Sequence, residues 1–395
     1  MKRRLHFSHW QCTSCGRKYQ RDEVTYLCPT CSIDYKPGMP LPGVLEAYLD
    51  YPALAQELDF ADYRNLSLKD FVQRFTVLES RHFPPLPVGE TPFFPVRRLL
   101  PELRNLWIKN DSLLPSGSFK DRASVMMVAE ARRLGISKIA CASTGNAASS
   151  LAALCASCGI QAVIFAPASA PAAKLTQIKA HGAELHAVDG TYDDAFKAAL
   201  EYSVAEGCLN RNTAYHPLTI EGKKSSGLEI FWQNGFKVPD WIIVPVGDGV
   251  ILAGIHKAFA DLKRTGLIEK LPRLLAVQAE SSDAISSYWE SGVYRDALKP
   301  QTVADSISVK TPSNAHWAVR TLKETNGAAI RVSDEAISEA QIKLAAQCGI
   351  FAEPSSAATL AGLEAALEQG IIKPEEQVVL LITGHGLKDI SSFKV

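Results

Sequence analysis

From about residue 106 the chain alternates short apolar runs with helix-periodic stretches, and that alternation limits its fold more than any other feature. The runs are Leu106–Lys109, Lys138–Cys141, Ala162–Phe165, Glu184–Val188, Trp241–Val244, Leu274–Val277 and Val378–Ile382. Between most of them the periodicity predicts helices over 124–134, 147–157, 171–181, 192–205, 219–233, 250–264, 334–347 and 355–368. Short, continuously apolar strands joined through helices make an α/β fold, with mostly parallel sheets covered by helices on both faces. No internal repeat, low-complexity segment or coiled-coil heptad competes with this reading.

The first hundred residues are organised differently. Cys12-Thr-Ser-Cys15 and Cys28-Pro-Thr-Cys31 are two C-x-x-C knuckles, and four thiolates so spaced suit one tetrahedral zinc. Residues 1–40 are therefore expected to form a zinc-ribbon-like segment. Residues 36–60 read as an extended arm with a short helix, and five prolines over 84–95 make a rigid crossing into the main body. Arg17, Lys18 and Arg21 are mixed with Asp22 and Glu23, and Lys+Arg and Asp+Glu both total 42, so no basic field points to nucleic acid. No run is long enough for a membrane span, and Lys2-Arg3-Arg4 precedes no apolar core of a signal peptide. Nine cysteines without a secretion signal fit a reducing compartment, with the cytoplasm expected. Cys155-Ala-Ser-Cys158 has no partner pair and reads as small packing residues before Gly159.

Ligands of α/β folds bind at the carboxyl ends of strands, where loops enter helix N-termini. Pro115-Ser-Gly-Ser-Phe-Lys-Asp-Arg122 puts Lys120 in a loop of small residues at the mouth of a helix, where an uncharged amine would attack an aldehyde. Alone, this reads first as a surface lysine in a helix-start turn. Ser143-Thr-Gly-Asn146-Ala147 offers hydroxyls, an amide and free N–H groups to a carboxylate, or is an ordinary helix cap. Gly247-Asp-Gly-Val250 opens a helix as a cradle for a single phosphate, lacking the patterns of dinucleotide and nucleotide loops. Thr383, closing the last strand, could hydrogen-bond a neutral ring nitrogen. Together the four loops describe pyridoxal phosphate holding an amino acid.

These residues resemble the threonine synthases, within the tryptophan-synthase-β-like (fold type II) class of pyridoxal-phosphate enzymes. Pro115–Arg122 is similar to the family's P-T-G-S-F-K-D-R, and Thr383-Gly-His-Gly-Leu-Lys-Asp389 is the most specific match. Glu353-Pro-Ser-Ser-Ala-Ala358 and Glu221-Gly-Lys-Lys-Ser225 are also similar to family segments. The resemblance implies two open twisted sheets: a large cofactor-binding domain over 96–118 and 216–395, and a small domain over 119–215. The ribbon of 1–40 and an arm over 41–95 precede them. It further implies that Lys120 is the Schiff-base lysine and the base at Cα. Asn146, Gly247, Asp248, Gly249, Val250 and Thr383 would hold the cofactor. Ser116, Ser143, Thr144, Asn146, Ala147, Lys224 and Ser225 would hold the substrate.

The implied reaction converts O-phospho-L-homoserine and water to L-threonine and phosphate by γ-elimination and β-hydration, in a homodimer. A serine/threonine dehydratase or a cysteate-forming synthase is the alternative within the class; a non-catalytic ribbon protein is the alternative outside it. Four positions depart from the family pattern: Asp111 replaces a glutamate, Leu114 an asparagine and, against some relatives, Ser313 an arginine. Asp248 lies inside the phosphate loop, where its carboxylate must turn away from the anion.

Overall fold

The computed structural model describes residues 5–170 and 172–390. Lys2-Arg3-Arg4, and Pro171 at the start of the helix expected over 171–181, lie outside the described residues. In chain order the strands are β1 (Phe7–Cys12), β2 (Lys18–Tyr19), β3 (Leu45–Leu49), β4 (Phe93–Val96), β5 (Leu106–Asn110), β6 (Lys138–Ala142), β7 (Gln161–Pro167), β8 (Glu184–Val188), β9 (Leu209–Asn210), β10 (Trp241–Pro245), β11 (Arg273–Ala279), β12 (Ala328–Val332) and β13 (Val378–Ile382). The helices are α1 (Tyr51–Phe60), α2 (Leu68–Arg74), α3 (Asp121–Leu134), α4 (Asn146–Ala156), α5 (Ala172–Ala180), α6 (Tyr192–Ala205), α7 (Leu218–Gln233), α8 (Val250–Arg264), α9 (Ala284–Ser291), α10 (Ala315–Glu324), α11 (Asp334–Cys348) and α12 (Pro354–Glu368). All seven apolar runs are strands, and all eight periodic stretches are helices.

The chain divides into two compact units, residues 90–119 with 226–395 and residues 1–89 with 120–225. The first is built on a six-stranded sheet of order β12-β11-β10-β13-β5-β4, parallel except for β4. Every residue of β10 and β13 is buried, which explains why their sequences are apolar throughout rather than alternating. Ile243, Val277 and Leu380 of the sheet pack with Ile337 and Leu344 of α11 and Leu360 and Leu363 of α12 in one core.

The second unit contains a parallel sheet of order β8-β7-β6-β9 and a small antiparallel sheet, β2-β1-β3. Ala140, Val163 and Phe165 of the parallel sheet pack against Ala195, Phe196 and Ala199 of α6. The small sheet carries the cysteine knuckles, and β3 is supplied by the stretch expected to be an arm.

Both parallel sheets share one topological feature. From β10 the chain winds outward to β11 and β12, then returns with β13 on the other side of β10. From β6 it winds outward to β7 and β8, then returns with β9 on the other side of β6. Each reversal leaves a crevice between loops that run in opposite directions from adjacent strand ends, which is where open α/β sheets bind ligands.

Candidate active site

At the β10/β13 reversal, three adjacent parallel strands end in three of the loops singled out by sequence. After β10, Gly247, Asp248 and Gly249 lead into α8. Main-chain N–H groups from Gly247 to Leu252 have no acceptor among the described residues, so the helix start presents open donors to an anion. Gly249 has φ +81°, and a Cβ there would stand 2.8 Å from that of Ala318, so packing against α10 already demands glycine. Asp248 turns its carboxylate out of the cradle: Oδ1 accepts the Ser313 N–H at 3.0 Å, and its carbonyl accepts that of Asn314 at 3.0 Å. The acid between the two glycines therefore holds the turn that contains Ser313.

After β13, Thr383 and Gly384 meet the lysine loop that follows β5. Phe119 N–H donates to the Thr383 carbonyl at 2.8 Å, His385 N–H donates to the Gly117 carbonyl at 3.0 Å, and Lys388 Nζ donates to the Ser116 carbonyl at 2.9 Å. These bonds fix the backbone up to the residue before Lys120. Ser116 and Ser118 are buried, and the Ser118 hydroxyl has no partner among the described residues. Thr383 is buried, with its Oγ1 3.1 Å from Ser356 Oγ on α12.

The departures at the start of this loop are explained by burial. Asp111 is fully buried and accepts the Thr91 hydroxyl at 2.5 Å. The Thr91 N–H in turn donates to Glu229, whose carboxylate forms a buried ion pair with Lys109 at 2.6 Å. Leu114 is buried as an apolar residue.

In the other unit Lys120 is half-buried and begins α3. Ser143–Ala147 lies at the β6/β9 reversal, tied to the loop after β9 by the Ala142 N–H, which donates to Asn212 Oδ1 at 2.8 Å. Ser143 Oγ accepts the Gly145 N–H at 3.1 Å. The N–H groups of Thr144 and Ala147 have no acceptor among the described residues, and Asn146 is buried at the first position of α4. Asn212 Nδ2, beside this loop, is buried without a partner among the described residues.

On α7, Lys224 Nζ is already engaged by Glu221 at 2.6 Å and the Phe75 carbonyl at 2.9 Å. Ser225 Oγ accepts from Arg122 Nη1 at 2.8 Å and donates to the Gly222 carbonyl at 2.7 Å.

The four knuckle cysteines also converge. Their sulfurs lie within 4.8 Å of one another, with Cys12–Cys31 and Cys15–Cys28 each at 3.8 Å. Zinc–sulfur bonds of ~2.3 Å in a tetrahedron put sulfurs ~3.8 Å apart. Ser14 and Cys15 N–H groups point at Cys12 Sγ, and the Tyr19 hydroxyl lies 3.0 Å from Cys28 Sγ. Burial opposes ionisation of Cys28, but the Tyr19 hydroxyl and nearby N–H groups outweigh it and lower the thiol to about 6.

The chain matches the family described as "Pyridoxal-phosphate dependent enzyme" over residues 85–384. It is 35% identical to threonine synthase of Methanosarcina acetivorans over 386 residues, covering 96% of this chain and 92% of that protein. It is 34% identical to threonine synthase of Methanocaldococcus jannaschii, again over 96% of this chain and 92% of the relative. The chain belongs to the threonine synthase family of pyridoxal-phosphate-dependent enzymes. Among solved structures, a T.th. threonine deaminase superposes with a TM-score of 0.65 at 27% identity, covering 75% of this chain and 93% of that one. Maize serine racemase, at 23% identity and a TM-score of 0.67 over 77% of this chain and 90% of its own, shares the fold.

Members of this family use pyridoxal phosphate, and the residues present suit it. The open N–H groups at α8 match a phosphate monoester, and Thr383 offers a buried hydroxyl for the ring nitrogen. The sequence motifs did not identify Ser356 as part of this arrangement. Its signal was present in the family-like segment Glu353–Ala358, but the bond to Thr383 depends on α12 packing against the end of β13.

Proposed function

We propose that this chain converts O-phospho-L-homoserine and water to L-threonine and inorganic phosphate. The observation that carries the reading is the convergence at one strand reversal of the lysine loop, the open α8 N-terminus and Thr383, in a chain of the threonine synthase family. When bound, pyridoxal phosphate supplies an aldehyde for amines and an electron sink for charge developing at Cα.

Lys120 would be the covalent anchor of the cofactor and the base toward the Cα proton of the substrate. Gly247, Asp248, Gly249 and Val250 hold the cofactor phosphate through main-chain N–H groups, with the Asp248 carboxylate turned away. Asn146 would hold the cofactor at its phenolic oxygen and Thr383 at its ring nitrogen. Ser116, Ser143, Thr144, Asn146 and Ala147 receive the substrate, with the open Thr144 and Ala147 N–H groups suited to its carboxylate. Lys224 and Ser225 are assigned to the substrate phosphate. Because Lys224 is paired with Glu221, its assignment requires that pair to loosen as the phosphate arrives.

Cys12, Cys15, Cys28 and Cys31 bind one structural zinc ion in this proposal, supported by the tetrahedral sulfur spacing. The enzyme acts as a cytoplasmic homodimer, a reading that rests on family resemblance and, for the compartment, on nine cysteines without a secretion signal.

Borohydride reduction of the protein incubated with pyridoxal phosphate, followed by peptide mass analysis, tests the anchor. A phosphopyridoxyl mass on the peptide containing Lys120 is expected. Label on another lysine, or none, would refute the assignment.

A further inference from the structure

Around Ser356 the hydrogen-bond count assigns a direction to the Thr383 hydroxyl. Ser356 Oγ accepts the Thr383 N–H at 3.0 Å and the Gly384 N–H at 2.8 Å. A hydroxyl oxygen has two acceptor lone pairs and one proton. Both lone pairs are therefore used, and Ser356 cannot also accept from Thr383. In the 3.1 Å contact between the two hydroxyls, Thr383 therefore cannot be the donor to Ser356. The Ser356 proton is shared between Thr383 Oγ1 and the Gly384 carbonyl at 3.2 Å, which keeps a lone pair for it beside the Glu353 N–H bond at 3.0 Å. Thr383 Oγ1 has no other partner among the described residues, so its own proton has no acceptor there although the residue is buried. Burial of an unmade donor is costly, and the atom that relieves it must be an acceptor.

We infer that Ser356 is a positioning residue that fixes Thr383 as a hydrogen-bond donor toward the ring nitrogen of the cofactor. This inference rests on the proposed placement of Thr383 and goes beyond it. A nitrogen that accepts this bond keeps its lone pair and stays unprotonated, whereas a threonine left free to rotate could equally accept from a protonated ring. Ser356 thus selects the neutral ring. It does so through two main-chain bonds that hold the end of β13 and by offering the Thr383 proton no acceptor. Glu353 packs here as well: its carboxylate fills the space beside Gly384, where a Cβ would stand 2.2 Å from Cδ.

The test is nitrogen NMR of holoenzyme loaded with pyridoxal phosphate labelled with 15N in the ring. It compares the wild type, Ser356→Ala, Thr383→Val and the double variant, with cofactor affinity measured alongside. The wild-type resonance is expected in the range of neutral, hydrogen-bonded pyridine and independent of pH from about 6 to 9. Ser356→Ala should move it in the same direction as Thr383→Val, raise the cofactor dissociation constant about five-fold, and add nothing in the Thr383→Val background. If Ser356→Ala fails to fold, Ser356→Cys replaces it in the same comparison.

An unmoved resonance in Ser356→Ala, with a shift in Thr383→Val, would overturn the inference alone. So would a Ser356 effect that persists unchanged without the Thr383 hydroxyl, because it would then be structural. A resonance unmoved in Thr383→Val would overturn the placement of Thr383 as well. Protein that takes up no pyridoxal phosphate would overturn the functional reading beneath both.

Discussion

Gly222 provides a sharp test of how the helix bearing Lys120 is held. It lies inside α7, where replacing glycine with alanine ordinarily favours the helix by ~1 kcal/mol. Here a Cβ would stand 1.8 Å from the Arg122 carbonyl oxygen, 2.7 Å from its carbonyl carbon and 3.0 Å from Ala123 Cα. Ordinary contact begins at 3.4 Å, so a displacement of 1.6 Å, the difference from 1.8 Å, is needed between α7 and the first turn of α3. All three colliding atoms are backbone, and no side-chain rotation can relieve them. Overpacking of this kind costs ~3 kcal/mol, leaving Gly222→Ala ~2 kcal/mol less stable after the propensity gain. A melting temperature lower by ~4–8 °C is expected in differential scanning calorimetry. Because Lys120 immediately precedes this turn, a shift of ~1 Å there should lower kcat for phosphate release by ~100-fold. A variant that melts at or above the wild-type temperature and turns over normally would refute the close approach of the two helices.

Three further outcomes follow from buried groups. Cys12→Ser should purify without the single zinc ion expected in the wild type, as read by elemental analysis; unchanged stoichiometry would refute the ligand set. Burial lowers the His216 pKa from 6.5 to about 4, with Glu130 partly opposing and Arg21 and Arg133 assisting. Below pH 6.5 the unfolded chain therefore binds a proton that the folded chain resists. The resulting stability, ~3 kcal/mol, is complete above pH 6.5 and is lost as pH falls toward 4. His216→Asn, which keeps an acceptor for the Leu218 N–H, should flatten that part of a chemical-denaturation pH profile. Lys109→Met leaves the Glu229 carboxylate buried without its cation and should cost ~3–5 kcal/mol in urea denaturation. Adding Glu229→Gln should recover part of that loss.

The sequence was most readable where both faces of an element are buried. Runs such as Trp241–Val244 and Val378–Ile382 have a single interpretation because every side chain is covered. Some elements outside that condition were missed, although the edge strand β8 was read without a buried residue. β12 is an edge strand of small residues with Arg331, whose guanidinium pairs with Asp283 and Glu290. β9 is only two residues long, and α10 has no side-chain cap at its start. Strand order was not legible either, because it depends on which parallel pairs form rather than on local pattern. That order is what puts the loops after β10, β13 and β5 side by side.

For the site, glycines and the lysine were legible because loop chemistry demands particular residue types. The partners were not: the Asp248 bond to Ser313, the Lys224–Glu221 pair and the Ser356–Thr383 contact are all set by packing. Chemistry could be read from motifs, but the state of each side chain could not.

The central claim is tested most directly by supplying purified holoenzyme with O-phospho-L-homoserine and quantifying inorganic phosphate and L-threonine together. The account predicts equimolar release of both, abolished in Lys120→Ala. Release of ammonia and 2-oxobutyrate from threonine, with no phosphate released from phosphohomoserine, would contradict it and assign the chain to dehydratase chemistry.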